Sequence, residues 1–266
     1  MTQTVKTIPV ELTELRAAST AGGGTALTTT LGLIPILFGA DYMSITPRNF
    51  VGCAVARVAL NPYLRIFHTQ DAGGHVVDIS DEMQDGDAVS VALAAFAIAG
   101  TGYMYVGATL PFRGAKVTLG TNKNGAASVI TVRYWNGGAW ADTDDTDGTI
   151  SPAGTSMGKT GDITWTVPAA WAKKSLVAIG DTLPAGCDKF TEKYWTRWEW
   201  SAALDSVDVD GIQALNRSTA YAEYLEGQAV NFKVSNREIA SVEALTNAGT
   251  ANLVVNVGAL VGSELE

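Results

Sequence analysis

Residues 128–135 read SVITVRYW, and the alternation within them decides the fold class. Ile130, Val132 and Tyr134 fall on one side of an extended chain, with Thr131, Arg133 and Trp135 on the other. That period of two is the mark of a half-buried strand. An Asn-Gly-Gly turn follows at 136–138, and the chain returns through Trp140. The same period recurs downstream. DITWTVP (162–168) sends Ile163, Trp165 and Val167 inward and Thr164 and Thr166 outward. EKYWTRWEWS (192–201) sets Tyr194, Thr196, Trp198 and Trp200 against Trp195, Arg197, Glu199 and Ser201, and VDVDGI (207–212) adds a further strand. Strands of this kind at regular spacing predict an all-β protein, an antiparallel β-sandwich of jelly-roll-like character.

Upstream the signals are similar. YLRIFHTQ (63–70) and HVVDIS (75–80) flank an Ala-Gly-Gly turn and predict a hairpin; YMYVGA (103–108) and AKVTLGT (115–121) are strands separated by Pro and Gly. VALAAFAIAG (91–100) fits a strand or a buried helix, since periodicity alone does not separate them. Residues 1–50, with the segment AGGGTALTTTLG, predict an extended N-terminal arm that lies against something else. The expected division is therefore an arm at 1–50, a β-sandwich at 51–215 and a C-terminal β-rich segment at 216–266. In that last segment AVNFKV and NLVVNV read as strands. NREIASVEAL (236–245) reads as a short helix, because Ile239, Val242 and Leu245 recur every third residue.

The totals narrow the function. A chain of 266 residues, 47% hydrophobic with 28 glycines, has enough apolar material for a large core. Acidic residues outnumber basic ones, 27 to 18, for a net charge of −9, and no basic run appears. That balance argues against nucleic acid as a partner, because affinity for a phosphate backbone comes from clustered Lys and Arg. The N-terminus lacks the pattern of a signal peptide, and LGLIPILFGA (31–40) and VALAAFAIAG are too short to span a bilayer, so a soluble, non-membrane protein made in a cytoplasm is expected. Cys53 and Cys187 lie far apart and read as small buried hydrophobes, with a single long-range bridge as the competing reading.

No catalytic constellation assembles. There is no G-x-S-x-G elbow and no phosphate-cradling G-x-x-x-x-G-K-[ST] loop, and only two histidines are present to act as base. The protein is expected not to be an enzyme, and no catalytic, cofactor or metal residues are assigned. Two clusters carry side chains that could ligate a metal. Asp142, Asp144, Asp145 and Asp147 miss two ligands of an EF-hand, so a solvated turn is the preferred reading and a looser Ca²⁺ loop the competing one. His68 and His75, with Asp71 and Asp78, would approach each other on one hairpin, but their spacing matches no recognised zinc motif. All seven tryptophans, Trp135, Trp140, Trp165, Trp171, Trp195, Trp198 and Trp200, fall in one stretch. Most are expected in the core, whereas Trp135, Trp140 and Trp195 are the candidates for a platform that stacks on glycan.

Four segments carry a resemblance: GYMYVGATLPFRGAKVTLGT (102–121), SVITVRYWNGGAWADTDDTDGT (128–149), GDITWTVPAAWAKKSL (161–176) and YWTRWEWSAALDSVDV (194–209). In combination they resemble a module of structural proteins of tailed bacteriophages. The resemblance implies a virion component with a jelly-roll-like sandwich and carries over no catalytic residues. The resemblance does not by itself place that component on the head or the tail. An acidic, soluble β-protein with a Gly-rich arm suits a subunit that clamps onto a larger shell. The expected role is therefore a capsid decoration, or cement, protein on the capsid surface, made in the host bacterial cytoplasm. The partners expected for that role are major capsid protein subunits and further copies of itself in a homotrimer. The alternative is a tail, baseplate or fibre component that binds host-surface glycan.

Overall fold

A computed structural model describes residues 24–30, 32–36, 42–69, 76–84, 91–92, 102–181, 191–205, 207–215, 221–233 and 239–258. It is an all-β, sandwich-like structure of antiparallel sheets; its helical content among these residues is a single turn. The chain divides into two compact units, residues 60–220 and a smaller one built from residues 1–59 together with 221–266.

The first leg of the smaller unit contributes β1 (Thr25–Leu27), β2 (Gly32–Pro35), β3 (Tyr42–Val51) and β4 (Ala56–Pro62). The larger unit follows with β5 (Arg65–Thr69), β6 (Val76–Asp78), β7 (Val91–Ala92), β8 (Met104–Ala108), β9 (Gly114–Leu119), β10 (Ile130–Trp135), β11 (Trp140–Asp142), β12 (Thr146–Asp147), β13 (Gly161–Thr164), β14 (Lys173–Lys174), α1 (Leu176–Ile179), β15 (Lys193–Trp200) and β16 (Asp208–Leu215). The return leg brings β17 (Ala222–Tyr224), β18 (Val230–Lys233), β19 (Ile239–Thr246) and β20 (Thr250–Gly258).

In the larger unit one sheet runs β11-β10-β15-β8-β5-β6, with β14 paired to β15, and the other runs β12-β13-β9-β16-β7. The inward rows of both sheets meet in one core. Ile66, Met104, Val106, Ile130, Val132, Trp198 and Trp200 come from the first sheet, and Ala115, Val117, Ile163, Val209, Ile212 and Ala214 from the second. The alternation read in 128–135 and 162–168 is realised here: Ile130, Val132, Ile163 and Trp165 are buried, with Tyr134 and Val167 packed against the same core. The hairpin of 63–80 also forms, as β5 against β6 with Phe67 opposite Asp78. Of 91–100 only β7 lies within the described residues.

The smaller unit has two four-stranded sheets, β1-β20-β3-β18 and β17-β4-β19-β2. Leu27, Met43, Ile45 and Leu253 are buried from the first and Ile34, Val58, Val242 and Ala244 from the second. Three expectations are corrected by this unit. The described part of the supposed arm is folded into it: the ten-residue β3 pairs along its length with β20, and Thr25–Leu27 pair with Ala251–Leu253. The C-terminal segment is the other half of the same unit rather than a separate addition. The supposed helix at 236–245 is instead strand β19, whose residues Ser241–Ala244 pair with β2. Residues 1–23 lie outside the described set.

Candidate functional site

The outward face of the β15 sheet is where the sequence placed Trp195, Arg197 and Glu199, and there the structure departs most from a bare polar surface. Trp195 is fully buried. It forms a second cluster with Phe67, Tyr105 and Leu176, against which Tyr103, Trp140 and Ile179 pack. Its ring is stacked on Phe67 at 5.8 Å between centroids. The cover comes from the segment after Trp171, where β14 pairs with β15 and Leu176 of α1 drops onto the ring. Ser175 caps that turn by accepting from Ala178 N, and Gly180 ends it in the left-handed region with φ 92°. Room for the indole is made by Gly107, its cross-strand partner, where a Cβ would sit 2.3 Å from Trp195 Cε3.

Beside this cluster lies a group of charges and rings. The Arg197 guanidinium carbon is 4.3 Å from the Tyr103 ring centre and 5.0 Å from that of Trp140, within the range of cation–π attraction. Its Nη2 donates to Glu199 Oε1 at 2.6 Å, and its Nη1 lies 3.9 Å from Asp181 Oδ2. The Trp140 indole N–H donates to the same Asp181 oxygen at 3.2 Å. Arg133 reaches the other oxygen of Glu199 at 3.1 Å. Burial, reinforced by the negative charge and hydrogen bond of Asp181, pushes the Tyr105 hydroxyl far above the usual phenol range. It therefore stays protonated at neutral pH and serves as a fixed donor, not a base. Each cation here already faces a carboxylate, so the arrangement is chemically a structural lock. Sequence reasoning pointed to Trp195 and Trp140 and gave Arg197 no role. It missed Tyr103, Tyr105 and Asp181, which come from other strands and a loop and carry no local signal.

The glycan platform is corrected at two of its three positions. Trp195 has no exposed surface, and Trp135 is buried on the same outward face, edge-on to Trp140 at 5.6 Å. Only Trp140 is partly exposed, and its ring is engaged by Trp135, Tyr105 and Arg197. The remaining tryptophans are core. Trp171 is their hub, touching Phe112, Tyr134, Trp165 and Tyr194 while its N–H donates to Trp195 O at 3.0 Å.

The acidic loop holds its own backbone. Asp142 Oδ1 accepts from Asp144 N at 2.9 Å, which supports Asp144 at φ 52°. Asp145 Oδ1 accepts from Val132 N at 2.9 Å, and Asp147 Oδ1 from Thr149 N at 2.7 Å. Burial, then the negative charges of Asp142 and Asp147, raise the Asp145 carboxyl above its ordinary value against the opposing pull of the Val132 N–H. His68 is buried on β5, opposite Val77 and Met104, while Asp78 pairs with Arg65 at 3.1 Å. His75, Asp71 and Cys187 lie outside the described residues. Cys53 is a half-exposed free thiol rather than a buried one, donating to Thr250 O at 3.1 Å. Among the described residues no three His, Cys, Asp or Glu side chains come together in a way that would hold a metal ion, and no helix is long and apolar enough to cross a membrane. No protein-family model matches the chain, and neither the curated proteins nor the solved structures provide a match.

Proposed function

We propose that this protein is a structural subunit of a tailed-bacteriophage virion: a capsid decoration protein that binds major capsid subunits on the head surface, as a homotrimer, and stabilises the shell without transforming a substrate. The observation that carries the reading is where the resemblance falls. Its four segments supply β8 through β15 and the start of β16, a set that includes the central strands β10, β15 and β8 of one sheet and β13, β9 and β16 of the other. Their distinctive aromatic residues, Tyr134, Trp165, Trp171, Tyr194 and Trp198, pack in or against one core. The resemblance is thus carried by a scaffold, and a scaffold suits a building block whose output is its surface.

The alternative, a tail, baseplate or fibre component that grips glycan through exposed tryptophan, loses its two best rings to burial at Trp135 and Trp195. The proposed attachment also narrows. Residues 25–27 and 42–51 are engaged in the smaller unit, so neither stretch is part of an extended arm reaching a neighbour.

The test is reconstitution. Purified protein is added to phage heads lacking it, and bound protein is separated by sedimentation. Saturable binding at a fixed ratio to the major capsid subunit, with heads that resist heating better, is the expected result. Failure to bind heads, with binding to isolated tails or to a glycan array, would overturn the proposal in favour of the alternative.

A further inference from the structure

The chain contains two Asn-Gly pairs, Asn124-Gly125 and Asn136-Gly137, and the fold treats them in opposite ways. In the first, Asn124 is buried at 3% exposure. Its Nδ2 donates to Ala126 O and Ser156 O at 3.0 and 2.9 Å, and its Oδ1 accepts from Ala126 N and Asp205 N at 3.1 and 3.2 Å. The Gly125 N–H is turned toward the Asp205 carboxylate, with both oxygens at 3.0–3.1 Å. Neither the amide carbon nor the glycine nitrogen is free to approach the other.

Asn136 sits at the exposed turn between β10 and β11. Its Oδ1 accepts from Gly138 N at 3.0 Å and Ala139 N at 2.9 Å, while the turn closes through Asn136 N to Ala139 O at 3.1 Å. Asn124 Oδ1 also accepts from two backbone donors, so these bonds do not separate the two sites. The difference lies at the amide nitrogen and at the glycine N–H. No described group accepts from the Gly137 N–H or holds the Asn136 Nδ2. Gly137 is exposed and lacks the Cβ that would shield its nitrogen.

We propose that Asn136 is a site of spontaneous deamidation in the folded protein and that Asn124 is protected. Base removes the Gly137 amide proton, and the nitrogen attacks Asn136 Cγ. The new N–C bond forms as the bond to Nδ2 breaks and ammonia leaves. Water then opens the cyclic imide at either carbonyl. One product is aspartate; the other is isoaspartate, which adds a methylene to the main chain. Either adds a negative charge to a turn that holds Trp135 opposite Trp140, and isoaspartate lengthens that turn.

The full-length protein is incubated in mildly alkaline buffer, folded and in denaturant, and its peptides are followed by mass spectrometry with enzymatic methylation of isoaspartate. In the folded protein the peptide containing Asn136 gains one mass unit and becomes a methyl acceptor, while that containing Asn124 stays unchanged. In denaturant both convert, and the Asn136→Ser variant removes the folded-state signal. Conversion of Asn124 at the rate of Asn136 in the folded protein, or of neither, would overturn the proposal.

Discussion

Arg133 and Arg197 stand directly opposite each other on β10 and β15, and both bind the one carboxylate of Glu199. Like charges facing across an antiparallel pair repel. Glu199 projects from the same strand face two residues beyond Arg197 and bridges both, with Asp181 supplying a second negative charge near Arg197. Glu199→Gln is therefore expected to destabilise the larger unit by about 1–2 kcal/mol, a value reduced from that of a buried pair because all three side chains retain solvent contact. Arg133→Gln in the same molecule should recover part of the loss. Urea unfolding followed by tryptophan fluorescence checks this, since all seven tryptophans lie in residues 60–220.

Gly107 and Trp195 make a second test. A methyl at Gly107 would lie inside the van der Waals surface of the ring, so Gly107→Ala should cost about 1–3 kcal/mol. Trp195→Ala should cost about 3–5 kcal/mol by leaving a cavity. Both read out as a lower denaturation midpoint for the larger unit. A Trp195→Ala protein of unchanged stability would show that the ring is not packed as described.

Asp145 predicts a pH dependence. Its carboxyl is raised above the unfolded value of about 3.9, so the native state binds the proton more tightly. The contribution to stability is full below the unfolded value, falls as pH rises through the native value, and is absent above it. Asp145→Asn keeps an acceptor for Val132 N–H without the charge. It should be the more stable protein at neutral pH, and its advantage should vanish in acid. Thermal unfolding across a pH series measures this.

The smaller unit predicts an asymmetry between two truncations. Removing residues 2–23 spares β1 and should leave both units folded while weakening attachment to the shell. Removing residues 2–30 takes β1 with it, including buried Leu27, and should destabilise the smaller unit while the tryptophan transition of the larger one holds. Circular dichroism and fluorescence melts on the two variants distinguish these outcomes.

How much of this was legible in the sequence depended on whether one face of each strand met water. β10 shows Thr131 and Arg133 on one side and Ile130, Val132 and Tyr134 on the other, and that alternation held, although Trp135 on the polar side is buried. β19 does not: Ala240 to Ala244 are all buried, including Ser241 and Glu243, so alternation vanished and Ile239, Val242 and Leu245 imitated a helix. The supposed arm failed for a different reason. β3 finds its partner in β20, about two hundred positions later, and such a pairing leaves no local mark. At the candidate site the neighbours misled. Arg197 and Glu199 beside Trp195 suggested a wet face, whereas the segment 171–181 covers it.

The most direct measurement of the central claim is the ratio of this chain to the major capsid subunit in purified phage particles, by quantitative mass spectrometry. The account predicts a fixed ratio expected of a component that covers the head, lost together with shell stability when the gene is deleted. A handful of copies per particle that fractionate with tails, or none at all, would contradict it.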